Sequence, residues 1–184
     1  MFQNLNIIYS LKNTTEKGQL LSVSDTTAQH KVGAVYHDVK NDKTYVYAYN
    51  AVGSELDDND PYFLVPQYSG ATGGNFTIEP LGDCVSKAVH ICVPAAEVPS
   101  TYYGWAQVQG DVDVNASDTN IWTDEAWAVN DELFLTASKG GTATDDDTGV
   151  ANATFAIVED SRASTGTAEC TIYLIGREII GDSS

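Results

Sequence analysis

YYGWAQVQGDVDV, residues 102–114, alternates with a period of two. Ala106 and Val108 fall on one side and Trp105, Gln107 and Gln109 on the other, as in a strand with one face on a core and the other on water or a partner. Gly110 interrupts the pattern, and a second alternation follows in which Val112 and Val114 interleave with Asp111 and Asp113. Two consecutive half-buried strands with a break at Gly110 are expected. They form scaffold, because no nucleophile, acid–base pair or ligand set accompanies them.

The same texture extends in both directions. No long run places apolar residues at three- and four-residue spacing, and Thr, Ser, Asn, Asp and Gly interrupt every candidate helix. The predicted fold is all-β, an antiparallel β-barrel or β-sandwich of short strands. Residues 1–29 read as an extended N-terminal arm or edge segment and residues 30–184 as the domain. HKVGAVYHDV and KTYVYAYN flank the turn KNDK and predict a hairpin. Its second strand sets Tyr45, Tyr47 and Tyr49 on one face against Val46 and Ala48, a patch suited to cross-strand packing or to a partner's surface. Residues 51–75 form a long connection with one apolar run, residues 62–65, which Pro61 and Pro66 mark as an edge strand or extended arm. A further strand at 89–93 places His90 and Cys92 on the face opposite Val89, Ile91 and Val93. The two prolines of PAAEVPS then mark an internal boundary, between possible sub-modules 30–99 and 100–184. Downstream, strands are predicted at 103–109, 112–115, 127–129, 133–136, 154–158 and 170–175, with turns at KGG, DDDTG and STG.

A chain of 184 residues has a proper core available, since folding at this size buries roughly 70% of the unfolded surface. Its charge is lopsided, with 9 basic against 26 acidic residues. Residues 1–45 hold five Lys against four acids, a balance of +1, so residues 46–184 carry −18 to reach the overall −17. An acidic body repels phosphate backbones and anionic lipid surfaces, so neither nucleic acid nor a membrane is an expected partner. It favours solubility and suits a basic partner surface. The start MFQNLNIIYSLKN lacks a basic leader followed by a long apolar run, so no signal peptide is expected, and no segment is long enough to span a bilayer. Synthesis in a cytoplasm follows, with Cys84, Cys92 and Cys170 as buried free thiols or with a Cys84–Cys92 pair closing a hairpin.

Candidate chemistry is thin. Acids cluster at Asp57, Asp58 and Asp60, at Asp145, Asp146 and Asp147, and at Asp124 and Glu125. The spacing of a calcium-binding helix–loop–helix fails, because Ser69 or Ala156 falls where the terminal Glu belongs. Solvated turns are the expectation. His30, His37 and His90 make no metal-binding or nucleophile-activating motif, and Cys84, His90 and Cys92 lack a fourth ligand. SGATGGNF has no Lys for a phosphate loop. Sequons begin at Asn13, Asn75, Asn115 and Asn152 and reflect abundant Asn, Ser and Thr. No metal, no cofactor and no enzymatic activity are expected.

Four segments carry a family resemblance: YYGWAQVQGDVDV, AVNDELFLTASKGGTATDDD, ATFAIVEDSRASTGTAECTIYL and the hairpin HKVGAVYHDVKNDKTYVYAYN. Together they resemble tailed-bacteriophage capsid decoration (cement) and head-fiber-base proteins, over residues 30–176. Tyr103, Gly104, Trp105 and Gly110 match the first element of that pattern, and Asn130, Asp131, Leu133 and Leu135 the second. Residues 155–159 and 166–174 match the last two, although the acid-rich stretch 53–75 has no counterpart. The resemblance implies a virion protein on the outer capsid surface, binding the major capsid protein and bracing the shell between capsomers, as a homo-oligomer of trimeric type. The expected contacts are Phe2, Leu5, Ile7, Ile8 and Tyr9 in the arm, together with Tyr45, Tyr47, Tyr49 and Trp105. The alternative is a fiber or tail adhesin stacking host glycans on Trp122, Trp127 and the Tyr45 to Tyr49 face.

Overall fold

The two alternations of residues 102–114 belong to one strand of 14 residues in the computed structural model. The structure describes residues 24–66, 76–79, 88–116, 126–136, 142–144, 154–161, 168–176 and 179–180. Among these there is no helix. The strands are β1 (Val35–Asp38), β2 (Lys43–Asn50), β3 (Tyr62–Pro66), β4 (Phe76–Glu79), β5 (Ala88–Pro94), β6 (Tyr103–Ala116), β7 (Glu132–Thr136), β8 (Thr142–Thr144), β9 (Ala156–Val158), β10 (Ala168–Ile175) and β11 (Ile179–Ile180).

A closed barrel stands at the centre. Its strands follow the order β2-β4-β3-β5-β6, and β6 pairs back to β2 to complete the ring. All the joints are antiparallel except β2 with β4, which run parallel. Closure removes the free edges that a five-stranded open sheet would present. The lumen is filled by Val46, Ala48, Leu64, Ile78, Cys92, Ala106 and Val108, with Leu56 and Val98 hydrogen-bonded to each other. Beside them Asn50 is wholly buried, its Nδ2 donating to the carbonyls of Val98 at 2.8 Å and Ser54 at 3.0 Å. A second sheet, β6-β10-β9-β7-β8, leaves the barrel along the far half of β6. It encloses another core with the outward residues Phe63 and Val65 of β3 and Ile91 and Val93 of β5. The architecture thus joins a barrel to a sandwich-like layer.

The hinge between the two is a β-bulge. Tyr45 pairs with Gln107 but Thr44 pairs with Gln109, which leaves Val108 as one extra residue in β6. One extra residue reverses the facing of everything after it. Ala106 therefore points into the lumen, whereas Val112 and Val114, which share its even-numbered phase, pack in the second core. Gly110 follows at φ +94, with the Asp42 carbonyl 2.4 Å from where a Cβ would sit. The Gln107 amide braces the bend, donating to the carbonyls of Gly110 at 3.0 Å and Asp111 at 2.9 Å.

Several expectations need correction. Gly110 does not end a strand, and the first half of β6 is not half-exposed: Trp105 and Gln107 are buried as fully as Ala106. Residues 62–65 are no edge, because β3 lies between β4 and β5, and its prolines bracket the strand where their missing N–H breaks no ladder. PAAEVPS is a corner rather than a boundary, since β5 and β6 on either side of it are paired and both belong to the barrel. Residues 127–129 form no strand: Trp127 makes a single bridge, and the chain then turns between Ala128 and Asp131, where the Ala128 amide donates to Asp131 Oδ2 at 2.6 Å and Asn130 takes φ +74. Cys92 is a buried free thiol, so it closes no hairpin with Cys84, which lies outside the described residues. The hairpin, the strands at 133–136, 154–158 and 170–175, and the two faces of β2 follow the expectation within a residue or two.

Candidate functional site

The outer wall of β2 and β6 is aromatic because the odd positions of both strands face the same way. Tyr45, Tyr47 and Trp105 project from the barrel beside Tyr36 of β1, and together with Ala34 they form a third core. The rings interlock edge-on and stacked. Trp105 lies 5.2 Å from Tyr47 and 6.3 Å from Tyr36, and Tyr103 stacks on Tyr47 at 6.2 Å and meets Tyr49 at 5.0 Å. Such pairs add about 0.5–1.5 kcal/mol each to the burial of their surfaces.

Residues 24–33 cover this wall. The Asp25 amide donates to the Tyr103 carbonyl at 2.9 Å and the Tyr103 amide returns the bond at 2.8 Å. His30 fits between Tyr47, 5.1 Å away and edge-on, and Trp105, 5.3 Å away. Burial pushes its pKa below the usual histidine value, against a smaller upward pull from the Asp25 carboxylate. The Gln29 amide donates to the Tyr47 hydroxyl at 3.2 Å. The end of the predicted arm is therefore fastened to β6, while Phe2, Leu5, Ile7, Ile8 and Tyr9 lie outside the described residues.

The contact residues expected on this wall divide into two kinds. Tyr45, Tyr47 and Trp105 are 7%, 1% and 2% exposed, so they hold the covering segment and are closed to a partner. Tyr49 and Tyr103 are half-buried at the margin and keep part of their surface open. Tyr36, Tyr103 and His30 belong to the cluster but were not among the sequence candidates. For Tyr36 and Tyr103 the signal was present, since cross-strand neighbours of an aromatic row are the residues that cover it. Trp127, expected as an exposed stacking platform in the adhesin alternative, is 1% exposed in the second core. Trp122 lies outside the described residues.

The acid clusters resolve into turns where they are described. The Asn59 amide donates to Asp57 Oδ1 at 3.0 Å, and the Asp57 amide donates to the Tyr62 hydroxyl at 3.1 Å. Burial, then the Asp57 carboxylate, raises the pKa of Asp60. Asp124, Glu125 and residues 145–147 lie outside the described residues. Among the described residues no group of three or more His, Cys, Asp or Glu is placed to hold a metal ion. His90 and Cys92 do share the inward face of β5, as their spacing predicts, and burial drives the Cys92 thiol far up from its ordinary pKa. An un-ionised thiol is a poor nucleophile and a poor ligand.

Tyrosine titration reports on this packing. The Tyr45 pKa is raised from 10.0 to about 12, by burial and then by the carboxylate of Asp38, and Tyr62 rises to about 12 by burial with Asp60 and Asp57 nearby. A folded state that holds the neutral phenol is favoured fully below pH 10 and loses that advantage as pH climbs from 10 to about 12. Discounted for the water that still reaches both hydroxyls, the loss is about 1–2 kcal/mol per ring. Phenolate absorbance followed against pH should show Tyr45 and Tyr62 titrating late, with Tyr47 also displaced upward by burial, and urea unfolding should weaken over the same interval. Titration of every ring near 10 with unaltered stability would contradict the packing.

No helix among the described residues is long and apolar enough to cross a membrane. The chain matches no protein-family model, no curated protein and no solved structure.

Proposed function

We propose that this chain is a structural virion protein, without catalytic activity, that binds the outer surface of a tailed-phage head and bridges its capsomers. The observation that carries the proposal is the pairing of charge with position. Asp25 is bridged to the half-buried Tyr103, next to Tyr49, and residues 24–50 carry three Lys against three Asp. Acids dominate elsewhere, and Asp111, Asp113, Glu132, Glu159 and Asp160 are all exposed on the second sheet and its turns. The near-neutral aromatic margin and the apolar residues Phe2, Leu5, Ile7, Ile8 and Tyr9 face the shell, and the acidic sheet faces solvent. A partner bound only by the mature shell stabilises it through mass action, and assembly as a trimer multiplies modest contacts by avidity. The resemblance of residues 30–176 to capsid decoration proteins supports the same reading.

Deletion of residues 1–12 is the test. The shortened chain folds, because the ladder from Asp25 onward is untouched, but its affinity for undecorated heads of the parent phage falls more than about tenfold. Losing the burial of even one large apolar side chain forfeits about 1.5–3 kcal/mol, and 1.4 kcal/mol is a factor of ten. Co-sedimentation with heads measures this, and light scattering gives the oligomeric state. Unchanged occupancy by the deleted chain would remove the arm from the mechanism.

A further inference from the structure

The side chains of the described residues leave one end of the barrel unfilled. Beyond Ala48, Ile78 and Cys92 the lumen opens into a half-enclosed cavity of ≈ 230 Å³, lined by Val35, Val46, Leu64, Phe76, Val108 and Gln109, with Thr44, His90 and two glycines at its margins. Native interiors hold few voids larger than a water molecule. Here the cause is local. The bulge at Val108 turns Gln109 inward beside it, and Gly33 and Gly176, both at positive φ, bring backbone without side chains to the mouth.

Two polar groups of the lining, Thr44 and Gln109, are joined in a relay. The Thr44 hydroxyl donates to Gln109 Oε1 at 3.3 Å, so the His37 ring nitrogen Nδ1, 3.0 Å from the same oxygen, is the donor to Thr44. With its carbonyl engaged, the Gln109 amide keeps an Nε2–H donor beside the cavity that its side chain lines. Chains of this kind polarise one another and strengthen the terminal donor. Among the described residues that line the space there is no Asp, Glu, Lys or Arg, and His90 is the one titratable side chain, so a charged guest would lose its hydration with no carboxylate or fixed cation to replace it. The chain's net charge of −17 opposes anions further. An apolar cavity of about 150 Å³ holds benzene, which makes this one large enough for two fused rings.

We propose that this end of the lumen is a binding site for a small, uncharged, mainly apolar molecule of bicyclic size with one hydrogen-bond acceptor, held by the five apolar side chains and by Gln109 Nε2. The site is separate from the aromatic wall and does not depend on the virion role.

The probes are α-tetralone, its skeleton without the carbonyl (tetralin), and the anion naphthoate, each titrated into the full chain by methyl-resolved NMR. Tetralone should shift the methyls of Val35, Val46, Leu64 and Val108, bind roughly three- to tenfold more tightly than tetralin as one net hydrogen bond allows, and outcompete naphthoate. Val108→Phe fills the space and should abolish the shifts. Gln109→Leu should leave tetralin binding in place and erase the preference for tetralone. If either variant fails to fold, the ratio of the two neutral probes on the natural chain still decides. No movement of these methyls, equal affinity for tetralone and tetralin, or binding that survives Val108→Phe each overturns the proposal. Uptake by the chain lacking residues 1–12 but not by the full chain also overturns it, because the protein's own N-terminal segment would then be the occupant.

Discussion

Trp105→Ala should destabilise the protein by about 3–5 kcal/mol, the range for truncating a large buried aromatic ring. Against a total stability of about 5–15 kcal/mol for a domain, that is enough to leave a substantial unfolded fraction at moderate urea. The loss has three sources in the structure. The indole is 2% exposed, it touches Tyr36, Tyr47 and His30, and its strand closes the barrel against β2. Urea unfolding measures the cost, and near-ultraviolet circular dichroism reads the loss of ordered aromatic packing. Trp105→Phe separates support from contact. It keeps most of the packing and should fold, and because position 105 is buried, the head binding proposed above should be unaffected by it. A folded Trp105→Phe chain that failed to bind heads would make the indole a direct contact. Tyr49→Ala, at the half-buried margin, is the substitution expected to weaken decoration without unfolding.

Gly110→Ala should cost about 2–4 kcal/mol, combining a left-handed backbone penalty of about 1–2 kcal/mol with displacement of a neighbouring backbone. The new Cβ would lie 2.4 Å from the Asp42 carbonyl, which belongs to the turn between β1 and β2 and has no flexible end to swing aside. Relief requires lifting that hairpin tip off β6. The hydrogen bond from the Tyr173 hydroxyl to Asp42 Oδ2, 3.1 Å long, should go with it. Amide exchange should accelerate at residues 43–46 and 109–112, and the urea midpoint should drop. Gly53→Ala is the control, since nothing lies within 4 Å of its added carbon and its cost should stay within about 0.5 kcal/mol. Equal effects at the two positions would show that the bend at Gly110 tolerates a side chain.

The two positions also show what could be read from sequence. Alternation at Tyr45 to Tyr49 and at Trp105 to Val108 correctly assigned the faces of β2 and β6, because period two follows from strand geometry alone. It gives no count of how many faces are covered: by alternation alone Trp105 reads as facing water or a partner, yet residues 24–33 lie over it. The bulge was invisible for a sharper reason. Ala106, Val108, Val112 and Val114 all carry even numbers and look like one continuous face, and only the pairing of Thr44 with Gln109 reveals that the facing reverses at Val108. Gly110 was noticed and taken for an ending, since glycine marks both breaks and bulges. The barrel needs two further things that sequence withholds: β4, four residues with Thr77 and Ile78 buried, is too short to signal itself, and Asn50 satisfies the Val98 carbonyl far along the chain. The cavity followed from the bulge, so it was equally out of reach.

Synthesis order adds a consequence to the length of β6. Until Tyr103 and the residues after it emerge from the ribosome, β2 and β5 lack a common neighbour, and the nascent chain is a curled sheet with two unsatisfied edges. Exposed edges invite pairing with other nascent copies. The first half of β6 ends that interval by joining both edges at once, while its second half waits for β10, more than fifty residues later, to arrive. Contacts of such long sequence separation slow folding. The chain therefore passes through a vulnerable stage set by one strand, and slower translation just before residue 103 would lengthen it.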